Sequence, residues 1–344
     1  MPVRFQNEVG FHRLSVVPVQ QPSSPGALTM ICPPRVTPTF LRRSLLLLGI
    51  VVLSAASTSA AVELKKDAAA KTVAVAINGR DFSTYAFADA QPKPYMWPVR
   101  GGDGTIITRP IFNDRSQGDH PHHKGVWVAV DEVGGVKFWA EEGKIANRGV
   151  EVTVAKGNPA QMKVTNDWLD TEGKAVVRET TLISIWENGL LGYDIRFTAS
   201  GDEPVEFGDT KEGLFGFRMA ESMKEKEGGR VVNAEGAKGT AECWGKPTGW
   251  IDYSGEVDGK TFGVALFDHP LNFRPSRYHV RNYGLFSISP FGERAYTNKK
   301  RPAQPFFLFP EKELRLRYAL FVHDGDTASA KVGKVYLDYL ESGM

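Results

Sequence analysis

Residues 250–267, WIDYSGEVDGKTFGVALF, read as two β runs joined by a two-residue turn. Trp250–Val257 and Lys260–Phe267 are rich in branched and aromatic residues. Asp258-Gly259 between them suits a type I′ turn, in which both central residues take positive φ. The turn fixes a register, with Tyr253 opposite Val264 and Trp250 opposite Phe267. Outward from this hairpin the same grammar continues. Residues 72–78 alternate apolar with polar and break at Gly79, and residues 150–156, 175–186 and 191–200 repeat the period of two, with Glu187-Asn188-Gly189 as a turn before the last. Helical signals are scarce. Residues 209–227 have room for one or two turns, interrupted at Gly213 and Gly216, and residues 327–342 for a short terminal helix. Many strands, frequent turn signals and no βαβ rhythm predict an all-β fold, mainly antiparallel: one large β-sandwich domain over 62–344 with few short helices.

The first 61 residues are read separately. Arg42-Arg43, the apolar run 45–53 and the small residues 55–61 have the order of a cleaved secretory signal, preceded by an N-terminal extension. The run is too short for a span of roughly 20 apolar residues, so no stable membrane insertion is expected after cleavage. Met30 would begin a signal of ordinary length and is an alternative start. The expected location is periplasmic or secreted. Residues 1–61 hold Arg4, Arg13, Arg35, Arg42 and Arg43 against Glu8 alone, so the 42 basic and 40 acidic residues of the chain become 37 and 39 beyond them. A near-neutral domain argues against nucleic acid as a partner. Of the 2 cysteines only Cys243 remains beyond the signal, which excludes an intrachain disulfide. Flanked by Glu242 and Trp244 in an aromatic, strand-like context, it reads as a small buried hydrophobe.

Three constellations carry chemistry. In Asp119-His120-Pro121-His122-His123, three of the chain's 7 histidines fall within four positions. Were the segment extended at Pro121, His120 and His122 would share one side and His123 the other. That pattern serves either a divalent metal held by His120 and His122 or acid–base work, with Asp119 orienting one ring. In residues 279–283, alternation puts His279, Arg281 and Tyr283 on one face, a donor set suited to hydroxyls, carboxylates or an oxyanion. Glu212 and Glu141 are the favoured carboxylates. The catalytic candidates are thus His120, His122, His123, Glu212 and His279. Arg109, Asn113, Glu141, Trp244, His269, Arg281 and Tyr283 are the substrate-binding candidates, Trp244 as an indole on which a sugar ring can stack. No glycine-rich phosphate loop follows a strand, so no nucleotide cofactor is expected.

The blocks Arg109-Pro110, Gly118 to Trp127, Phe138-Trp139-Ala140-Glu141, Glu212 to Gly216, Trp244-Gly245-Lys246, Asp268-His269-Pro270, His279 to Gly284 and Pro290-Phe291-Gly292 resemble, in content and order, a bacterial family labelled methane oxygenase PmoA. This domain-of-unknown-function family of exported proteins matches over about residues 72–325. The resemblance implies an exported β-sandwich of the sort encoded by bacteria that degrade polysaccharides. Its fold is expected to be similar to the galactose-mutarotase-like supersandwich. Three readings follow. The first is an enzyme acting on a carbohydrate or carbohydrate-derived substrate by histidine/carboxylate acid–base chemistry, with hydrolase, lyase and epimerase all open. The second is a non-catalytic carbohydrate-binding protein. The third is a metal-dependent oxidoreductase, as the family label suggests. The partner is in each case a small molecule or an oligosaccharide.

Overall fold

A computed structural model describes residues 61–343. The expected signal, the extension before it and the alternative start at Met30 lie outside the described residues. All strand pairs are antiparallel. Nine strands form one sheet, in the spatial order Arg277–Val280, Leu285–Ser289, Phe215–Arg218, Val126–Val128, Tyr95–Val99, Arg80–Ala86, Thr72–Ile77, Val62–Asp67 and Lys156–Gly157. Eight strands form the other: Arg230–Asn233, Trp250–Val257, Lys260–Asp268, Glu313–Asp324, Leu190–Ala199, Ala175–Ile185, Ala160–Leu169 and Lys144–Val154.

The hairpin at 250–267 has the expected register, Tyr253 against Val264 and Trp250 against Phe267. Asp258 at φ 51° and Gly259 at φ 75° supply the two positive angles that the turn demands. The alternating segments are strands at Thr72–Ile77, Lys144–Val154, Ala175–Ile185 and Leu190–Ala199. The terminal helix is Val332–Glu341. One local expectation is met in part and one fails. Within 209–227 the chain forms the strand Phe215–Arg218 before two 3-10 turns, Glu221–Met223 and Glu225–Glu227. There the run from Leu214 to Met219 is captured between two neighbouring strands. Cys243 lies in the single helical turn Thr240–Cys243 rather than in a strand, buried as expected, and burial pushes its thiol up to about 11.

Cross-strand partners share a face of a sheet. Tyr278, Ile288, Phe215 and Val128 therefore form one row, and Val280, Phe286, Phe217, Val126 and Met96 another. Both rows face the eight-stranded sheet. Tyr193 and Phe215 ring centres are 4.5 Å apart, those of Tyr253 and Phe286 6.2 Å, and the Tyr193 hydroxyl donates to Met96 Sδ at 3.1 Å. The intervening row, His279, Ser287, Gly216 and Trp127, consequently lies on the face turned away from that core. Trp127 is nevertheless buried, because the connections between strands fold over it. On the far side of the eight-stranded sheet, the terminal helix packs Val332 and Tyr339 against Phe267, Ala319 and Phe321.

Candidate functional site

The histidine segment is a turn, not an extended strand. His120 has φ 47°, in the left-handed region, and the backbone N–H of His123 donates to the His120 carbonyl at 3.0 Å. The expected partition of the rings is therefore corrected. His120 stacks on His123, with centres 4.8 Å apart and planes 6° from parallel, while His122 meets both rings edge-on. The stack continues in both directions: Tyr283 lies on His120 at 5.2 Å and Trp127 on His123 at 5.4 Å. Trp139 closes its side against His123 and Trp127. The two segments that sequence analysis marked as chemical, separated by some 160 positions, thus meet ring to ring.

Two arginines hold the turn in place. Arg109 donates to the Asp119 carbonyl at 2.8 Å, to Asp119 Oδ1 at 2.6 Å and to the His120 carbonyl at 2.9 Å. Arg218, fully buried in the strand Phe215–Arg218, donates to Asp119 Oδ1 at 3.0 Å and to His123 Nδ1 at 3.3 Å. Its guanidinium also lies 4.9 Å from the Tyr283 ring centre. Burial raises the Asp119 pKa, but the His120 hydrogen bond and the two arginines outweigh it and hold the carboxyl at about 2. Asp119 Oδ2 accepts from His120 Nδ1 at 2.8 Å. A carboxylate that only accepts fixes the proton on Nδ1, so Nε2 carries the lone pair. The His120 side chain is 40% exposed, so that lone pair is open to a substrate.

The imidazoles of His122, His123 and His279 are held below their ordinary range. Burial pulls His122 and His279 down to about 3, assisted by Lys93 in the first case and by Lys211 and Arg281 in the second. Burial likewise holds His123 well below its ordinary value. His279 is 1% exposed and donates from Nδ1 to the Lys211 carbonyl at 3.1 Å, and its Nε2 has no partner. Glu212 Oε2 lies 3.7 Å from His279 Nδ1, and its other oxygen pairs with Lys211. Trp127 Nε1, Trp139 Nε1, Trp244 Nε1, Arg109 Nε, Arg218 Nε and Arg281 Nε are also buried without partners. Buried polar groups are ordinarily satisfied. Of these groups only Trp244 Nε1 and Arg281 Nε belong to half-buried side chains; Trp127, Trp139, Arg109 and Arg218 are sealed from solvent.

Several predicted binding residues take other places. Arg109 is 1% exposed and holds the loop from beneath rather than facing a ligand. Asn113 is exposed in the loop, where its backbone N–H donates to Gln117. Glu141 pairs with the buried ammonium of Lys93 at 2.7 Å. His269 packs edge-on against Tyr339 of the terminal helix, so both sheets separate it from the ring stack. Trp244 does join the site: its ring lies under the Arg281 guanidinium at 5.8 Å and beside Tyr296 at 5.5 Å. For the metal pair His120 and His122, no group of three His, Cys, Asp or Glu side chains converges among the described residues. His120 Nδ1 is already committed to Asp119.

Sequence reasoning missed Arg218, Lys93 and Asp131. Arg218 had a signal, a charge inside the otherwise apolar strand run Leu214–Met219. Lys93, between Pro92 and Pro94, had none. Burial lowers it to about 8, against the opposing pull of Glu141. Burial raises Asp131 to about 6, and its Oδ1 accepts from the Ala140 N–H at 3.0 Å, tying the Trp139 loop to the site.

Gly216 sits under this assembly for steric reasons. A Cβ there would lie 2.7 Å from Trp127 Cζ2. Gly216→Ala is expected to tilt Trp127 and cost about 1–3 kcal/mol, as overpacking does. Near-ultraviolet circular dichroism and thermal unfolding check this; an unchanged tryptophan spectrum would refute it.

One family model matches residues 72–336, most of the chain, and it describes a family of unknown function, DUF6807. The chain belongs to DUF6807. No curated protein matches the sequence of this DUF6807 chain. Among solved structures, it is similar to a GH36 α-galactosidase variant from Geobacillus stearothermophilus in complex with raffinose, at 11% identity and a TM-score of 0.38. The match covers 76% of this chain and 40% of that enzyme, so the DUF6807 chain spans well under two thirds of its length. It is similar to galactose 1-epimerase from Lactobacillus acidophilus, at 8% identity over 78% of this chain and 100% of that one, with a TM-score of 0.37. A GalM/aldose epimerase homologue from C. elegans gives 7% identity, 78% and 100% coverage, and a TM-score of 0.36. Among the described residues no helix is long and apolar enough to cross a membrane.

Proposed function

We propose that this DUF6807 protein is an exported enzyme, periplasmic or secreted, that transfers protons on a carbohydrate or carbohydrate-derived substrate. The observation that carries the reading is the Asp119–His120 pair, whose free Nε2 is presented beside the Tyr283 phenol. His120 Nε2 takes a proton from the substrate. The imidazolium so formed keeps its Nδ1–H on Asp119, whose negative charge offsets the new positive one. Returning that proton completes a cycle. His279 and Glu212 form a second pair, close to Arg281. The half-buried indole of Trp244 offers a face for a sugar ring, and the half-buried Arg281 over it supplies N–H donors for hydroxyls. The histidine block and the Arg-Asn-Tyr-Gly block, the two specific elements of the resemblance to the PmoA-labelled family, are the two that meet here. Hydrolysis, elimination and epimerisation all draw on this equipment.

His120→Ala is expected to reduce turnover roughly 100-fold or more on whichever member of an oligosaccharide panel the protein converts, since a positioned acid–base group contributes about 10²–10⁴-fold. The far-ultraviolet spectrum should be unchanged. Full turnover in a folded His120→Ala protein would remove His120 from the chemistry. Glycan binding without turnover by the unaltered protein, lost in Trp244→Ala, would establish a binding protein instead.

A further inference from the structure

The charge of the site is one-sided. Arg109 and Arg218 share a single carboxylate, that of Asp119. Lys93 and Lys211 are matched one to one by Glu141 and Glu212. Lys124 gives its ammonium to the Phe112 carbonyl at 2.8 Å. Arg281 has no carboxylate at ion-pair distance among the described residues; its neighbours are the Trp244 ring, the Tyr283 phenol and the neutral His279. Its Nε and Trp244 Nε1 are both buried without an acceptor, side by side.

A guanidinium partly withdrawn from water and left without a counter-charge is costly. Where stability alone is selected, a matching acid or a neutral side chain is expected in its place. Arg281 has neither, although Glu212 stands nearby, engaged with Lys211. The guanidinium fork fits the planar carboxylate with two parallel N–H bonds, a geometry that a lysine cannot offer. The group it awaits is therefore an anion brought by the ligand, beside the ring stack where His120 works.

We infer that the substrate is an acidic sugar, a uronate or a sugar acid, whose carboxylate docks on Arg281 while its ring packs against the half-buried Trp244. This rests on the reading of the site as an acid–base centre for carbohydrate and adds the class of substrate. Carboxylate and sulfate esters share the negative oxygen fork. A single guanidinium with a planar pair of donors favours the carboxylate.

The test is calorimetric titration of the full chain at low ionic strength with galacturonate and glucuronate, their methyl esters, the neutral parent sugars and galactose 6-sulfate. The free acids are expected to bind at least tenfold more tightly than their esters. Arg281→Gln should bring acid and ester to parity without a fall in thermal midpoint, and Arg281→Lys should recover part of the difference. Equal binding of acid and ester overturns the inference, as does preference for the sulfate ester, or acid binding that survives Arg281→Gln. The two readings fail separately. Neutral sugars that bind and are turned over in a His120-dependent way leave the acid–base centre standing and sink the carboxylate. Absence of binding across all of these sugars sinks both.

Discussion

Arg218→Met should lower the unfolding free energy by roughly 3 kcal/mol and dissolve the ring stack, because hydrogen bonds to charged groups contribute about 1.5–3 kcal/mol each. The sign needs argument, since replacing a complete buried ion pair by apolar residues is often neutral or stabilising. Here only one member is removed. Asp119 remains charged and keeps Arg109, while the bonds from Arg218 to Asp119 and to His123 are lost together with the cation over Tyr283. Methionine fills much of the volume but offers no donor, so His123 Nδ1 becomes a buried acceptor without a partner. Loss therefore exceeds relief. Arg218→Lys keeps the charge without the fork and should fall between the two. Chemical denaturation gives the free energy, and near-ultraviolet dichroism reports the stacked Trp127 and Trp139. Native stability in Arg218→Met, with the aromatic spectrum intact, would show that Arg109 alone suffices to hold the turn.

Acidification should destabilise the protein from about pH 6.5 downward, through its buried histidines. His279 has a folded pKa of about 3 against an ordinary 6.5, because it is buried among Lys211 and Arg281. Between those two pH values the unfolded chain takes up a proton that the folded chain refuses. The stability tied to this group is thus fully present above pH 6.5 and declines as pH falls towards 3. At pH 4.5 the lost contribution is about 3 kcal/mol. His122 and His123 act in the same direction. Asp119, held at about 2, contributes in a lower window: its share is present above its ordinary value near 3.8 and is lost as pH falls through 2. Urea unfolding at pH 7 and pH 4.5 should show a large drop, smaller by about 3 kcal/mol in His279→Gln, whose amide can still donate to the Lys211 carbonyl. The same drop in both proteins would mean that His279 is protonated in the folded state.

Much of the architecture was legible because it depends on local rules. The Asp258-Gly259 turn and the alternation beside it dictate the hairpin register, and the terminal helix follows from the pattern of 327–342. The strand Phe215–Arg218 escaped because Gly213 before it and Gly216 within it read as interruptions, whereas Gly216 is there to let Trp127 approach. Within the candidate site, histidine density marked the segment but not its conformation. An extended reading pairs His120 with His122. The left-handed angle at His120 pairs it with His123 instead, and no local signal forced that angle. Tertiary anchoring by Arg109 and Arg218 decides it. Burial also separates like residues: Arg109 and Arg281 look alike in sequence, yet one is sealed under the loop and the other is half-buried over Trp244 with no carboxylate at ion-pair distance among the described residues.

The clamp on Asp119 also sets an order of assembly. Arg109 is nearby in the chain, but Arg218 lies 99 positions further on, and Tyr283 later still. A ribosome that has released the whole histidine turn has therefore made every imidazole of the loop and none of the centre. The stack of His120, His123 and Tyr283 is complete only when the last third of the polypeptide has folded back across the sheet, so a chain that stops short of Tyr283 carries the loop without that ring partner.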